Sequence, residues 1–401
     1  MAKSLGASGK ENLPGRRNSL IAGISIAVSV VIMITAISVS DGFDREIKGK
    51  VSGYAGDISV KVPGEELVNS LYPLTIDKSL LNTLENTSGI LAVQGIAYIT
   101  GVMKHENQIE GIVLKGVDDS YNWTFVHNYA NEFDSVSDNE IVISSRLASK
   151  LNLKLGDRPF LYFIGESVKT RRFTVSAIFD ARLEEVDKGM VMCNIEIVRE
   201  LLGWKQNEYS SLEILLRDRA DPAAKSKELQ LILNEKIPDD YLDTEVVTSE
   251  NLFPHLFDWL SLLDYNVFIV LTLMMIVAGF NMISGLLIIL FEKISMIGLL
   301  KSLGMRDSAI HKIFLARAMS IVIKGVAAGN IIALTLLYIQ KWFKIVPLDP
   351  VNYFVNHIPV HVNFVKLLLV DIVSITVIAL ILFIPDRFIS KVEPDKTLRQ
   401  K

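Results

Sequence analysis

Two histidines, one carboxylate and one lysine have positions in this chain that could support chemistry. His357 and His361 show the i,i+4 spacing of two metal ligands on a helix, but Pro359 between them opposes that helix. Asp371 and Lys324 lie inside long apolar runs, where an ionisable group is a candidate for proton or ion coupling. Each is close enough to the end of its run for its charge to reach interfacial water. We therefore predict no metal site and an ordinary structural role for both charges.

The sequence contains no phosphate-binding loop, no dinucleotide-binding glycine pattern, no zinc-protease motif and no pair of cysteines. Its single cysteine, Cys193, excludes an intramolecular disulfide. A formal net charge of −4 in 401 residues does not indicate a nucleic-acid partner. These observations argue against an independent enzyme and against a cofactor held by this chain.

Four apolar runs of about 20 residues or more, the length that crosses about 30 Å of hydrocarbon as a helix, stand out in the chain. They predict transmembrane helices at 19–39, 267–291, 314–339 and 365–385. We expect the first to be a retained anchor, because its apolar core is longer than that of a signal peptide. The third carries Gly325, Gly329 and Ala333 at four-residue spacing, a stripe that lets two helices pack closely.

Basic residues indicate the orientation of these helices. The tails 1–18 and 386–401 and the connection 292–313 are rich in lysine and arginine, whereas the loop 340–364 contains only Lys341 and Lys344. Basic loops remain in the cytoplasm. We therefore expect both termini to be cytoplasmic, and 340–364 and the long segment 40–266 to be outside.

The long segment is expected to fold as a domain. Its parts at about 57–117 and 211–250 each show strand and helix patterns, which predict one α+β unit interrupted by an insertion at about 118–210. Within the insertion, 140–153 has a helical pattern, and strand patterns follow at 160–163, 171–179 and 190–194. The insertion is therefore predicted to be a small, mostly β subdomain.

The two ends of this domain, Asp41–Gly53 and Asn251–Asn266, are amphipathic and lead directly into the first and second spans. We interpret them as helical stalks that continue the spans, with membrane-surface helices as the alternative. Pro254 opposes an unbroken second stalk. The predicted fold class is an α-helical membrane protein with four transmembrane helices and a large α+β extracytoplasmic domain, which contains an inserted β-rich subdomain.

The connection between the second and third spans has the pattern of a short amphipathic helix. Charged Glu292 and Lys293 stand at the membrane edge, an apolar face follows at Ile294, Ile297 and Leu300–Leu303, and Gly304 is a typical helix stop. Such a helix suits the docking of a soluble partner, and a membrane-surface helix is the alternative.

This segment, FEKISMIGLLKSLGMRDSAI at 291–310, resembles the coupling helix of the MacB/FtsX-type ABC permeases. GISIAVSVVIMITAISVSDGFDREI at 23–47 resembles the lipoprotein-releasing permeases, LolC and LolE, including a turn at Asp41-Gly42-Phe43. Further matches are LKLGD at 153–157, FTVSAIF at 173–179 and EPDKTLR at 393–399.

The resemblance implies two such permeases, identical or paralogous, joined to two cytoplasmic ATPase subunits that bind ATP and Mg²⁺. It implies a split α+β unit called the porter, with an inserted β-rich subdomain called the sabre, outside a bacterial inner membrane. In the mechanism called mechanotransmission, the ATPases move these external domains through the coupling helices and stalks. It further implies lipoproteins as substrates and a periplasmic carrier as a partner. The residues expected to take part in ATPase coupling are Glu292, Lys293, Ile297, Leu300, Lys301, Leu303, Gly304 and Met305.

Acyl chains of a lipoprotein would need an apolar shelter outside the membrane. Candidate walls lie where the first and second spans meet the outer face, with ordinary helix packing as the alternative explanation. These candidate substrate contacts are Val39, Phe43, Leu256, Trp259, Leu260 and Leu263.

The chain departs from the LolC type in one place. A long proline-containing hairpin, the hook, recruits the carrier there, whereas this chain has the short, proline-free IGESVKT at 164–170. The alternatives to lipoprotein release are an efflux permease of the MacB type with a separate ATPase, and an FtsX-like activator of cell-wall hydrolases. The external domain of the FtsX-like activators is usually much smaller than 40–266.

Overall fold

The computed structural model describes residues 13–65, 67–68, 72–130, 133, 136–164, 168–183, 189–217, 220–236 and 243–382. Several predicted segments lie outside this part. They are most of the N-terminal tail, the end of the fourth span at 383–385, the C-terminal tail with EPDKTLR, and residues 165–167. The described chain forms two compact units. One contains the residues up to Arg45, Trp259–Pro347 and those from His357 onward, and the other contains Glu46–Asp258 and Leu348–Asn356.

The first unit is built mainly from long helices. They are α1 (Leu13–Ala55) as far as Arg45, α8 (Pro254–Glu292) from Trp259 onward, the short α9 (Ile294–Ser302), α10 (Asp307–Phe343) and α12 (Phe364–Ile381). Four helical segments in the described chain are long and apolar enough to cross a membrane: Leu20–Ala55, Pro254–Ile288, Ser308–Phe343 and Phe364–Ile381. Their shared core contains side chains from all four helices, among them Ile26, Met282, Val322 and Ile378.

Both predicted stalks are largely helical. Helix α1 runs without a break through Asp41-Gly42-Phe43, so the turn implied there by the resemblance is wrong. Pro254 is the first residue of α8, where its missing N–H removes no helical hydrogen bond. The residues before Pro254 form the separate short helix α7 (Ser249–Leu252). The predicted stalk Asn251–Asn266 is therefore interrupted at Phe253, as Pro254 led us to expect, and its continuous helix begins at Pro254.

The second unit is built on a mixed sheet. Its strands, in chain order, are β1 (Ile58–Lys61), β3 (Ile90–His105), β4 (Gln108–Val117), β5 (Glu140–Ser144), β6 (Phe160–Ile164), β7 (Val168–Arg172), β8 (Thr174–Phe179), β9 (Met190–Asn194), β11 (Ser211–Leu216) and β12 (Glu245–Thr248). The order across the sheet is β12-β1-β11-β3-β4-β9-β5-β8, with β6 paired to β3 and to β7. A separate pair joins β2 (Leu74–Thr75) and β10 (Glu208–Tyr209).

Strands from the predicted insertion continue this sheet. Strand β9 pairs in parallel with β4, with Leu114 opposite Val191, and β5 pairs with β9. The edge of β4 that faces away from β3 presents backbone N–H and C=O groups that need partners, and β9 supplies them. The insertion is thus part of the same sheet as the halves that flank it.

Residues 140–153, predicted to be helical, form strand β5 followed by α4 (Ser145–Leu151). Ile141, Val142 and Ile143 are β-branched and fully buried between two strands, which favours the extended conformation. The side chain of Ser144 then accepts a hydrogen bond from the backbone N–H of Leu147 and caps α4.

The other helices of this unit are α2 (Lys78–Glu85), α3 (Thr124–Tyr129), α5 (Ile195–Leu202), α6 (Pro222–Lys236) and α11 (Pro350–Tyr353). Helices α2, α5 and α6 contribute to the apolar core that covers one face of the sheet through residues such as Leu84, Val198 and Leu229. The sheet side of that core includes Ala97, Leu114, Leu212 and Ile214. Residues that alternate with these on the same strands point to the opposite face.

Candidate functional site

Three consecutive residues of α1 make three different contacts within the helical unit. An Oδ1 oxygen of Asp41 accepts a hydrogen bond from the Lys366 ammonium at 2.5 Å. Gly42 lies so close to Pro359 that a β-carbon at this position would stand 2.3 Å from the Pro359 carbonyl oxygen. Phe43 is buried and packs edge-on against Trp259, with 5.6 Å between the ring centroids. The Asp41-Gly42-Phe43 sequence is therefore a contact site on a continuous helix.

Two further hydrogen bonds join α1 to its neighbours at the same level. The Ser40 hydroxyl donates to Oδ1 of Asp264 at 2.7 Å. The backbone N–H of His361 donates to the Ser38 carbonyl at 3.0 Å. Together with the three contacts above, they hold the segment Ser38–Phe43 against α8, against the first turn of α12 and against the chain that precedes α12.

The predicted substrate contacts are mostly covered by protein. Phe43 and Leu260 are buried, and Val39, Trp259 and Leu263 are half-buried. Leu256 is buried and belongs to the sheet-containing unit. Of these residues, the structure brings Phe43 and Trp259 into direct ring contact.

The predicted coupling helix is α9, and its apolar residues face two directions. Ile297 is fully buried among Ala22, Ile310, Phe314 and Ile321, and Leu300 packs beside this cluster. Leu299 and Leu303 point outward, with 53% and 76% of their surface exposed. Glu292, Lys293, Gly304 and Met305 are also exposed, and Lys301 is half-buried. Ile297 and Leu300 therefore anchor α9 to its own bundle, whereas Leu299 and Leu303 offer an outer surface.

Helix α9 ends in a hydrogen-bonding pattern that requires a left-handed residue. Gly304 has a φ of +86°. The N–H of Gly304 donates to the Lys301 carbonyl and the N–H of Met305 donates to the Leu300 carbonyl, both at 3.0 Å. These two bonds are those of a Schellman motif, in which glycine is the favoured residue.

The small residues of α10 lie against α1. A β-carbon at Gly325 would stand 3.0 Å from the Gly23 carbonyl oxygen, and one at Gly329 would stand 2.8 Å from that of Ala27. Ala333 is fully buried in the same bundle. Close backbone approach of this kind is what small residues permit between helices.

Within the bundle, the side chains of Asn330 and Asp371 are hydrogen-bonded to each other. Asn330 donates one side-chain N–H to Oδ2 of Asp371 at 2.9 Å and another hydrogen bond to the Val326 carbonyl at 3.0 Å. Lys324 is exposed on α10. Among the residues that the structure describes, no group of three histidine, cysteine, aspartate or glutamate side chains could hold a metal ion.

The sheet contains a buried ion pair that was not predicted from the sequence. Lys115 and Glu213 are almost completely inaccessible, and the Lys115 ammonium lies 2.8 Å from Oε1 and 2.9 Å from Oε2 of Glu213. Burial lowers the pKa of the Lys115 ammonium and raises the pKa of the Glu213 carboxyl, while their mutual attraction opposes both shifts. The sequence did contain a signal for this ion pair, because the apolar stretches GIVLKGV and SLEILL each contain a single charged residue.

Two family descriptions match the chain. The MacB-like periplasmic core domain matches residues 19–232, which is more than half of the chain. The FtsX-like permease C-terminal region matches residues 268–394. The first match contains most of α1 and most of the sheet, and the second contains α9, α10 and α12.

Individual relatives match over nearly the whole length. The lipoprotein-releasing system transmembrane protein LolC of Neisseria meningitidis is 24% identical, over 94% of this chain and 92% of that protein. The LolE protein of the same system in Haemophilus influenzae is 22% identical, over 96% of each chain. The crystal structure of the periplasmic region of MacB from Actinobacillus actinomycetemcomitans is 14% identical, covers 51% of this chain and 94% of that one, and has a TM-score of 0.36.

Proposed function

Because the chain belongs to the lipoprotein-releasing (LolC/LolE) permeases of the MacB/FtsX-type superfamily, we propose that it helps to extract lipoproteins from the cytoplasmic membrane. Members of this family are ABC transporter permeases. The observation that carries the proposal is the match to LolC and LolE along nearly the full length of both proteins. A match limited to the sheet or to the helices would have supported only a permease of unspecified substrate.

Energy for extraction is proposed to come from a separate cytoplasmic ATPase that binds ATP and Mg²⁺. Its docking surface on this chain is the outer side of α9, where Leu299 and Leu303 are exposed and Glu292 and Lys293 add charge. Ile297 and Leu300 fix α9 to the bundle, so a push on α9 would move the bundle helices with it. We propose that this movement is passed along α1 and α8 in the manner called mechanotransmission.

The proposed substrate site is the contact between α1 and α8 at Phe43 and Trp259. Exposing an acyl chain to water costs about 0.8 kcal/mol per CH₂, so a released lipoprotein needs an apolar surface at the moment it leaves the bilayer. Phe43 and Trp259 cover each other here. The transport cycle would therefore have to separate these rings, and the surfaces that they uncover would receive the acyl chains.

Two partners follow from the same proposal. A second permease, identical or paralogous, would complete the transporter, and a periplasmic carrier would accept the lipoprotein. By the resemblance, the hairpin formed by β6 and β7 would correspond to the LolC hook. Its strands pair up to Ile164 and Val168, both of which are exposed. We propose that any carrier contact here differs from that of LolC, because the hairpin is short and lacks proline.

The test is depletion of the protein, followed by separation of the inner and outer membranes. We expect lipoproteins to remain in the inner membrane. A photo-crosslinking residue at Phe43 should capture a lipoprotein, whereas the same residue at the exposed Leu368 of α12 should capture far less. Normal sorting after depletion, with no lipoprotein captured at Phe43, would reject lipoprotein release in favour of efflux or hydrolase activation.

A further inference from the structure

The C-terminal end of α1 contacts the face of the sheet opposite its apolar core, and this face carries several polar side chains. Register pairs place Tyr98 opposite Lys115 and Gln94 opposite Glu213, and Ser59 is also opposite Glu213. These five side chains therefore share one face of the sheet, and each is less than 5% exposed. A buried face with this many polar groups is unusual beside the apolar face of the same strands.

Three side chains bind consecutive carbonyl groups in the last turn of α1. The Tyr121 hydroxyl donates to the Gly53 carbonyl at 3.4 Å, the Lys115 ammonium donates to the Tyr54 carbonyl, and the Ser59 hydroxyl donates to the Ala55 carbonyl at 3.1 Å. The final carbonyls of a helix have no partners within the helix and carry partial negative charge. The Lys115 ammonium therefore both satisfies a carbonyl and neutralises the end of the helix dipole.

Glu213 and three tyrosines surround Lys115 and hold it in that position. The Glu213 carboxylate binds the ammonium with both oxygens and also accepts a hydrogen bond from the Tyr98 hydroxyl at 2.9 Å. The ammonium lies 5.0 Å from the ring centroid of Tyr54 and 5.2 Å from that of Tyr121. We call Ser59, Tyr98, Lys115, Tyr121 and Glu213 the α1 socket.

Stability alone does not account for this socket. Replacing a buried ion pair by apolar residues of similar volume is often neutral or stabilising. Apolar side chains, however, allow a helix end to rotate or slide, because dispersion contacts have little directionality. Hydrogen bonds to three successive carbonyls define both the rotation and the depth of the helix end.

We propose that Lys115 and Glu213 are positioning residues that fix the C-terminal end of α1 on the sheet. In the transporter, the sheet would then move whenever α1 moves. This second part of the proposal rests on the proposed function. Neither residue touches the substrate or the ATPase in this proposal. Their effect is on how much transport each ATP produces.

The test uses the Lys115→Met/Glu213→Met double variant of the full-length protein, which removes both charges and leaves neither of them stranded. Thermal unfolding and size-exclusion chromatography establish that it folds. We expect amide hydrogen exchange at residues 50–56 to rise at least tenfold, while exchange in β3 and β11 stays within threefold of the unmodified protein. Unchanged exchange at 50–56 would overturn the proposal, whatever the substrate is.

An engineered disulfide between α1 and α3 should restore the coupling that the double methionine variant loses. The ideal β-carbon at Gly53 lies 2.9 Å from the Phe125 β-carbon, so Gly53→Cys and Phe125→Cys can be joined after a small shift. In the reconstituted transporter, we expect the double methionine variant to lose at least fivefold in lipoprotein released per ATP, with ATP hydrolysis within twofold. The disulfide should restore the ratio, and reductant should abolish the recovery.

A matched control carries Gly53→Cys and Phe125→Cys with Lys115 and Glu213 intact. An unchanged release ratio in the double methionine variant, or no recovery with the disulfide, would overturn the coupling step. If the unmodified protein releases no lipoprotein, the proposed function fails, and the exchange experiment still decides whether the socket fixes α1.

Discussion

Gly42 and Pro359 touch through their backbones, and a β-carbon at residue 42 would lie 2.3 Å from the Pro359 carbonyl oxygen. Because the obstacle is backbone, it cannot turn aside as the end of a flexible side chain would. We predict that Gly42→Ala destabilises the protein by about 1–3 kcal/mol, the usual cost of overpacking. Thermal unfolding of the purified protein measures the effect.

Gly49 provides the matched control on the same helix. It is exposed, and a β-carbon there would meet nothing within 4 Å. Gly49→Ala should therefore stabilise α1 by roughly 0.5–1 kcal/mol. Equal effects of the two substitutions would show that the Pro359 contact does not constrain α1.

The left-handed conformation of Gly304 predicts a contrast between two substitutions. Valine is strained at a φ of +86°, by about 1–3 kcal/mol, whereas asparagine tolerates this region. A β-carbon meets nothing within 4 Å, so the difference comes from the backbone. We expect Gly304→Val, but not Gly304→Asn, to lower the ATP hydrolysis of the assembled transporter. Identical hydrolysis in both variants would contradict a role for the α9 terminus in coupling.

Packing of α10 against α1 predicts that Gly329→Leu is poorly tolerated. The new side chain would meet the Ala27 carbonyl and Val30, and we expect a loss of about 1–3 kcal/mol. Ala327 on the same helix is exposed, so Ala327→Leu should change stability by less than about 0.5 kcal/mol. Thermal unfolding in detergent compares the two, and equal losses would mean that the Gly329 contact is not needed.

Cys193 should be unreactive while the sheet is folded. Burial raises the pKa of its thiol, and no part of the residue is accessible. We predict negligible reaction with a maleimide at pH 8 and complete reaction in denaturant. An Asp119→Cys variant controls for reagent access, because residue 119 is exposed in the same unit. Native labelling of Cys193 as fast as that of Asp119→Cys would contradict its burial.

The inert thiol also permits a test of orientation. Asp119→Cys should react with an impermeant maleimide added to intact spheroplasts, because the basic loops predict that the sheet lies outside. Ser302→Cys, on exposed α9, should react only after permeabilisation. The reverse pattern of labelling would show that the predicted orientation is wrong.

Local sequence patterns were sufficient for many elements of this fold. Strand β9 has the predicted bounds, Met190–Asn194, because its short apolar run follows Gly189 and ends at Asn194, two residue types that commonly bound a strand. The strand at 140–144 was missed because a buried β-branched run precedes helix-forming residues, and periodicity alone does not separate the two. The pairing of β4 with β9 depends on residues far apart in the chain, which local patterns do not report.

The candidate sites were also only partly predictable from local sequence patterns. The exposed and buried sides of α9 follow from its partners, so the sequence identified the helix but not which leucines face outward. Lys115 was missed because a lysine in a strand normally indicates a solvent-facing position. Only the packing of the α1 terminus on that face explains why the charge is buried.

The position of β1 within the sheet has a consequence for synthesis. Residues Ile58–Lys61 pair on one side with 211–214 and on the other with 245–248. During translation, β1 therefore has neither neighbouring strand until nearly the whole domain has been synthesised. The second of these neighbours is made just before α8 begins at Pro254. Such long-range pairing slows folding and leaves strand edges open to aggregation. The nascent domain would thus depend on factors that protect it until the second span enters the membrane.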